Sequence, residues 1–136
     1  MKDIRPAIRS FLLGDPTVNA LVGGVRIHHG RLPQGQVTAS LVFNRVSEIQ
    51  GYTMQQDDSL SNTRFQFDAW AQTADLANEL ASATRDRLSG YRGPMVGNSE
   101  AIEVRGVFVV SELDGYDEVT KLYRLSRDYA VWYLTR

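Results

Sequence analysis

The stretch TRFQFDAWAQTADLANELASATRDRLSG, residues 63 to 90, changes from the pattern of a β-strand to that of an α-helix within a few residues. Its first part alternates apolar and polar side chains, so that Phe65 and Phe67 share one face of an extended chain. From Thr73, which can cap a helix N-terminus, apolar residues recur at helical spacing through Leu88. The stretch therefore predicts a strand followed at once by the main packing helix of the fold.

Two shorter helices are predicted nearer the N-terminus. Apolar residues from Ile4 to Leu12 recur at helical spacing and form one stripe. In DPTVNALVGG, residues 15 to 24, Asp15 can cap a helix that starts at Pro16 and stops at the glycine pair. We expect both helices to pack on one face of a sheet.

Extended segments are predicted on both sides of the main helix. They are VRIHH (25–29), ASLVFNRVSEI (39–49), AIEVRGVFVVSEL (101–113) and VTKLYRLSRDYAVWYLT (119–135), with YRGPMVGNS (91–99) expected as a loop. The second of these segments should pair with the opening strand as a hairpin. Because there are too few helical crossovers for a doubly wound sheet, the sequence predicts an α+β fold in one domain over residues 1–136. We expect a mostly antiparallel sheet of about four to five strands, with about two to three helices and the main helix on one face.

A long polar connection is expected between the two strands of this hairpin. QGYTMQQDDSLSN, residues 50 to 62, is well above the ~2–5 residues of common hairpin loops. Loops of this length are often functional, so we expect contacts with other proteins here. The candidate interface residues in this loop are Tyr52, Met54, Asp57 and Asp58.

The final strand is too long for a domain of this size. A straight run of about sixteen residues would span ~50 Å, whereas a compact domain of this length is ~35–40 Å across. The strand must bend or reach a neighbouring subunit, and the polar triplet Ser126-Arg127-Asp128 interrupts its apolar pattern as a bulge would. We expect the bend to expose the chain beyond it, with Arg127 itself exposed. The candidate interface residues in this strand are Arg127, Tyr129, Trp132 and Tyr133.

Aromatic side chains are predicted on both faces of the sheet. Trp70 alternates opposite Phe65 and Phe67, and Trp132 alternates opposite its tyrosine neighbours. The main helix can cover one face. The other face needs the first helix, the long loop or another subunit as its cover.

The composition is typical of a folded globular protein. The chain has 136 residues, of which 43% are hydrophobic and 23% charged, and its formal net charge of -1 gives no global attraction to nucleic acid or membrane. Because there is no cysteine, disulfides and thiolate metal sites are excluded. The N-terminus lacks the apolar core of a signal peptide, so we expect a protein that stays in the cytoplasm unless an assembly carries it out.

Catalytic and metal-binding motifs are absent from the sequence. His28 and His29 are adjacent, so their side chains leave a strand on opposite faces and cannot chelate one ion as a pair. A metal site combining one histidine with Asp57 or Asp58 lacks any supporting ligand spacing, and those carboxylates lack the burial that acid–base catalysis needs. We expect no enzyme activity and no cofactor, with a His-dependent metalloenzyme left as an alternative.

A small nucleic-acid-binding or regulatory domain is a second alternative. It would use a basic face with aromatic side chains for stacking, drawn from Arg85, Arg87, Arg124, Arg127, Tyr91, Tyr123 and Tyr129. Acidic residues are interleaved with these arginines, which is more typical of a solvated or protein-binding surface.

Taken in order, the first helix, DPTVNALVGGVRIHHGRLPQG, LVFNRVS and most of the opening stretch resemble the tail-completion proteins of long-tailed bacteriophages, the tail terminator or tail-to-head joining family. The matching residues are Asp15, Val18, Ala20, Leu21, Val22, Gly23, Gly24, Arg26, Ile27, Leu32, Pro33, Gln34, Gly35, Asp68, Trp70, Ala77, Leu80 and Leu88. An extra residue, Val25, stands between the glycine pair and Arg26.

This resemblance implies a structural virion protein without catalysis. Such proteins form a ring, commonly a hexamer, that caps the tail tube, ends its polymerisation and joins the tail to the head connector. The implied partners are other copies of the chain, the tail tube protein and the head–tail connector protein, with no membrane, and with DNA only passing through the ring lumen. The implied location is the head-proximal end of the tail, after assembly in the host cytoplasm.

Overall fold

The computed structural model describes residues 3–33, 35, 38–52 and 57–135, with the backbone alone described at 49–52 and 57–59. Its helices are α1 (Arg5–Leu13), α2 (Pro16–Leu21) and α3 (Ala74–Leu88). Its strands are β1 (Ile27–His29), β2 (Ser40–Tyr52), β3 (Asp57–Ala71), β4 (Gly93–Gly97), β5 (Glu100–Asp117) and β6 (Leu122–Leu134).

The strands form one sheet in the order β1-β2-β3-β6-β5-β4. Neighbouring strands are antiparallel except β1 and β2, which are parallel. The fold is α+β, as the sequence predicts, and the sheet is mostly antiparallel, but the expected number of four to five strands is wrong because the described residues form six. Strand β1 has three residues, each of which pairs with β2 in parallel.

The segment expected as a loop after α3 contains β4. Gly93–Gly97 pairs with the start of β5 through a turn at Asn98 and Ser99. Both turn residues have positive φ, at 51° and 62°, as the two central residues of a type I′ hairpin turn do. The turn is hard to recognise in the sequence because serine stands where such turns favour glycine.

Strand β6 is uninterrupted, so the β-bulge predicted at Ser126-Arg127-Asp128 is wrong. Its pairing with β3 runs in continuous register from Leu134 to Tyr123. The irregularities belong to β5, where the pairing with β6 shifts between Val104 and Gly106 and between Val109 and Ser111. The polar triplet does not break β6 because its side chains find partners on both sides of the sheet.

The N-terminal caps predicted for α2 and α3 are present in the structure. The Asp15 carboxylate accepts a hydrogen bond of 3.3 Å from Thr17 N at the start of α2, and Thr73 Oγ1 accepts one of 3.1 Å from Leu76 N at the start of α3. At α1 the N-cap is Ile4, and the Asp3 carboxylate accepts from Arg5 N at 3.0 Å.

The core lies between the three helices and one face of the sheet, called here the inner face. Its centre is a run of aromatic rings in which Phe67 stacks on Phe43 at 5.4 Å and meets the Tyr129 ring edge-on at 5.4 Å. Phe65 lies beside both phenylalanines. Residues of α1, α2 and α3 belong to the same buried cluster, so the predicted packing of the helices on one face is confirmed.

The N-terminal helix α1 is held by a close backbone contact with the edge strand β4 and by an arginine side chain of α3. A Cβ on Gly97 of β4 would overlap the backbone of Pro6 and Ala7 in α1. Arg87 of α3 donates from Nε to Phe11 O at 3.0 Å and lies 3.9 Å over the Phe11 ring. These contacts fix the helical layer on the inner face and leave the opposite face, called the outer face, without a helix among the described residues.

Candidate assembly surfaces

The segment expected as a long polar loop is mostly strand. Strand β2 continues to Tyr52 and β3 begins at Asp57, with these two residues paired. The loop prediction over 50–62 is therefore wrong, since backbone pairing in the hairpin continues where the apolar alternation stops. Met54 lies outside the described residues, and Asp58 lies next to Asp57 in β3. The interface role of Tyr52, Met54, Asp57 and Asp58 stays a prediction.

A polar cluster holds the base of this hairpin to the centre of the sheet. Glu48 Oε1 accepts hydrogen bonds from Ser61 Oγ at 3.0 Å, Thr63 Oγ1 at 3.0 Å and the Tyr133 hydroxyl at 2.9 Å. Burial raises the pKa of Glu48, but the three hydroxyl donors and the charge of Arg45 outweigh it, so the pKa lies below its ordinary value. The cluster joins β2, β3 and β6 where the hairpin leaves the core.

Three of the four candidates in β6 face the core. Arg127 is 6% exposed, and Tyr129 and Tyr133 are buried. The expectation that this part of the strand is exposed is therefore wrong for these residues, because alternate side chains of the continuously paired β6 point at the helices. Trp132, on the outer face, is 37% exposed as expected. The interface role of all four residues stays a prediction.

Arg127 is a buried cation with partners of its own. Its Nη1 donates to Ala81 O of α3 at 2.9 Å, and its Nη2 lies 3.1 Å from Glu112 Oε1 of β5. Burial raises the pKa of the neighbouring Tyr129, and the positive charge of Arg127 opposes this rise. No hydrogen bond of good geometry joins the two side chains. Arg127 therefore anchors α3 to the sheet.

The middle of the outer face is a polar network. Arg64 of β3 donates to Asp128 Oδ2 of β6 from Nε at 3.0 Å and from Nη2 at 2.7 Å. Asp68 Oδ1 accepts from Ser126 Oγ at 2.6 Å and from Gln66 Nε2 at 3.0 Å. These bonds give Ser126 and Asp128 partners on the outer face, while Arg127 has its partners on the inner face, so the polar triplet does not disrupt the strand.

One end of the outer face is apolar. Phe108 of β5 is 56% exposed and folds its ring over Gly106, where a Cβ would lie only 2.8 Å from the ring. Beside it runs an open groove of about 600 Å³. This groove, called the Trp132 groove, is lined by Leu60, Arg92, Arg105, Phe108, Trp132 and Leu134.

The turn joining β5 to β6, residues 118–121, lies at the other end of the same two strands. Asp117 Oδ1 accepts hydrogen bonds from Val119 N at 2.9 Å and Thr120 N at 3.4 Å, and Lys121 N donates to Asp117 O at 2.7 Å. Val119 is nevertheless 90% exposed. The turn is thus ordered and presents an apolar side chain to solvent.

The two histidines lie in β1 and have separate surroundings. His28 is half-buried, and His29 is exposed with its ring 5.2 Å from the Phe43 ring. Burial is the main cause that lowers the pKa of both, and nearby arginines add to it. Among the residues that the structure describes, no group of three or more His, Asp or Glu side chains is placed to hold a metal ion.

The arginines and tyrosines considered for nucleic acid do not form one face. Arg127 and Tyr129 are buried, Arg87 is bonded to α1, and Arg124 lies over the Trp70 ring at 5.6 Å. The basic surface that this alternative needs is therefore divided among the core, the helical layer and the outer face. None of the described helices has the length and apolar character needed to cross a membrane.

Besides the core and the helical layer, the chain has an open sheet face, a long hairpin and an exposed turn, which are surfaces suited to assembly. Comparison with known families shows that the protein is a structural protein of the phage tail. The family model described as "Tail completion protein gp17" matches residues 6–134. The chain belongs to that family, and the resemblance read from its sequence is confirmed. As a member it is a virion protein of the tail, placed among other virion proteins.

Solved structures share this fold. A chain of "Virion of native gene transfer agent (GTA) particle" is 16% identical over 93% of this chain and 91% of that chain, with a TM-score of 0.64. A second solved chain is 11% identical over 93% of each, with a TM-score of 0.57. Identities this low show a common fold alone. The comparison with curated proteins gave no match.

Sequence reasoning missed the features that distinguish the surface. The sequence pattern around Phe108 predicts a buried side chain. The register shifts in β5 place Phe108 on the outer face instead, where it is exposed. Val119 reads as the first residue of the last strand but lies in the turn. Glu48 has no sequence signal, because its donors are between 13 and 85 residues away.

Proposed function

We propose that the protein forms a ring that caps the phage tail tube, ends its polymerisation and joins the tail to the head connector. The observation that carries this proposal is the family match over residues 6–134, nearly the whole chain, to tail completion proteins. The fold likeness to a chain from a gene transfer agent virion adds support, since that protein is part of a phage-like particle. The proposed role is structural and involves no catalytic step and no cofactor.

The surfaces on the chain suit such a ring. The hairpin of β2 and β3 is held near its base by the Glu48 cluster, and its backbone pairing continues to Tyr52 and Asp57, which suits a contact with the tube or a neighbouring subunit. We assign contacts with the tube or a neighbour to Tyr52, Met54, Asp57 and Asp58 of this hairpin. Assembly occurs in the host cytoplasm, the ring sits at the head-proximal end of the tail, and DNA passes through its lumen.

The proposal is tested by growth arrest. Purified tail tube protein is polymerised with and without this protein, and tube lengths are measured by electron microscopy. We expect tubes that stop growing when the protein is added and fail to elongate when fresh tube protein follows. Tubes that keep elongating at both ends in the presence of excess protein would contradict the proposed function.

A further inference from the structure

The hairpin of β5 and β6 carries an exposed apolar surface at each end. At one end is the Trp132 groove, where Phe108 and Trp132 are 56% and 37% exposed. At the other is the turn with Val119, 90% exposed. Buried apolar surface is worth roughly 25 cal/mol per Å², so covering the apolar groove with an exposed apolar side chain such as Val119 favours association.

The two ends differ in charge as well as in shape. The groove has Arg92 and Arg105 along its wall, and the only ion pair described for Arg105 is a loose one, 3.9 Å from Glu103. The turn carries Asp117 and the exposed Glu118 directly before Val119, and Lys121 at its end. The part of the turn formed by Glu118 and Val119 is therefore complementary in charge and polarity to the basic and apolar groove.

These ends cannot meet within one copy. Ten residues of β6 separate the turn-side Leu122 from Trp132, which at the rise of a β-strand is ~33 Å. Strand β6 is continuously paired on both sides along this length, so the hairpin cannot fold back on itself. Complementary patches at opposite ends of a rigid element can only be joined between copies.

We propose that the β5–β6 turn of one copy docks in the Trp132 groove of the next copy, with Val119 against Phe108 and Trp132 and with Glu118 facing Arg92 and Arg105. This inference rests on the proposed ring and names the contact that builds it. Two different patches meet at every contact, so the interface is heterologous, and such contacts close into a ring when the rotation between copies allows it. Asp117 holds the turn in shape before docking, which lowers the ordering cost of binding.

The first test is sedimentation velocity of Val119→Asp, with circular dichroism as the fold control. The aspartate puts a carboxylate in an apolar groove, so we expect the ring to be replaced by monomer at matched concentration, with at least a tenfold weaker association. Val25→Asp is the matched control, because Val25 is also an exposed valine, at 62%, on a different part of the chain. Rings formed by Val119→Asp as well as by wild type would overturn the proposal.

The second test mixes two assembly-defective variants. Val119→Asp keeps an intact groove and Phe108→Ser keeps an intact turn, so one productive contact is possible between them. We expect each variant alone to be monomeric and the mixture to give dimers that do not grow. Rings from either variant alone, or a mixture that stays monomeric while wild type forms rings, would overturn head-to-tail docking.

The charge contact has its own test. Arg105→Glu and Glu118→Arg should each weaken association, and the doubly substituted chain should recover it because the charges are exchanged. Failure of the double variant to recover any association would contradict the assigned pairing. Variants that form rings but no longer bind tail tubes would show that the groove takes the tube protein, which overturns this inference and leaves the proposed function standing.

Discussion

The Tyr133 hydroxyl donates a 2.9 Å hydrogen bond to Glu48 Oε1, joining residues 85 apart in the chain. Tyr133 is fully buried in the middle of the sheet, whereas Glu48 lies where the β2–β3 hairpin leaves the core. The bond therefore couples the β2–β3 hairpin to the central strand β6.

This bond makes the stability of the protein depend on pH in a defined direction. The folded-state pKa of Glu48 is below its ordinary value of 4.5, so its contribution is fully present above about pH 4.5 and is lost as pH falls through the folded pKa. We expect Glu48→Gln to lower the free energy of unfolding by about 1 kcal/mol at neutral pH, a value discounted for partial exposure. Urea denaturation of both proteins between pH 7 and pH 3 checks this. A difference that grows as the pH falls would contradict it.

The contact between β4 and α1 leaves no room for a side chain at Gly97. A Cβ there overlaps the backbone of Pro6 and Ala7, so α1 would have to move away from β4. We expect Gly97→Ala to destabilise the fold by ~1–3 kcal/mol, as overpacking does. The matched control is Gly14→Ala, where φ is -73° and the nearest atom belongs to the flexible Arg87 side chain at 3.2 Å. Equal melting temperatures for Gly97→Ala and wild type would show that α1 is not fixed there.

Because Arg127 is buried, we expect a charge reversal there to destabilise the fold, unlike a charge reversal at an exposed position. Arg127→Glu removes the bond to Ala81 O and places a carboxylate beside Glu112 in a buried site. We expect a loss of ~3–5 kcal/mol in stability, which follows from leaving a buried charge without a partner. Arg127→Met, which keeps most of the length without the charge, should cost less. A folded Arg127→Glu of wild-type stability would mean that the anchoring of α3 by this side chain is wrong.

Substitution of the histidines separates packing from metal binding. His29→Ala removes the edge contact with Phe43, so we expect a loss of ~0.5–1.5 kcal/mol. The double variant His28→Ala, His29→Ala should melt lower than wild type by the same amount with and without a chelator. If chelation lowered the melting temperature of wild type and left the double variant unaffected, a metal role would be established.

The sequence predicts local elements well where one residue settles the geometry. Asp15 and Thr73 cap helices as expected, and Phe65 and Phe67 point at the core as their alternation predicts. Each of these inferences depends on neighbours within four residues. The tail-completion resemblance is carried by the same segments.

Long-range pairing was beyond what the sequence could predict. In the sequence, the polar triplet around Arg127 looks like an interruption of the apolar pattern of β6. Its partners, Asp68, Arg64 and Glu112, lie on other strands and are not visible from the local sequence. The extra residues that shift the register are in β5, and they place Phe108 on the outer face. The candidate surface is therefore visible only once the sheet register is known.

The most direct measurement of the central claim is the position of the protein on tail tubes. Tagged protein is bound to purified tubes and imaged by electron microscopy, with the Val119→Asp variant beside it. The capping account predicts a ring of label at one end of each tube and none along its length. Label spread along the tube wall, or tubes without label at either end at saturating protein, would contradict the account.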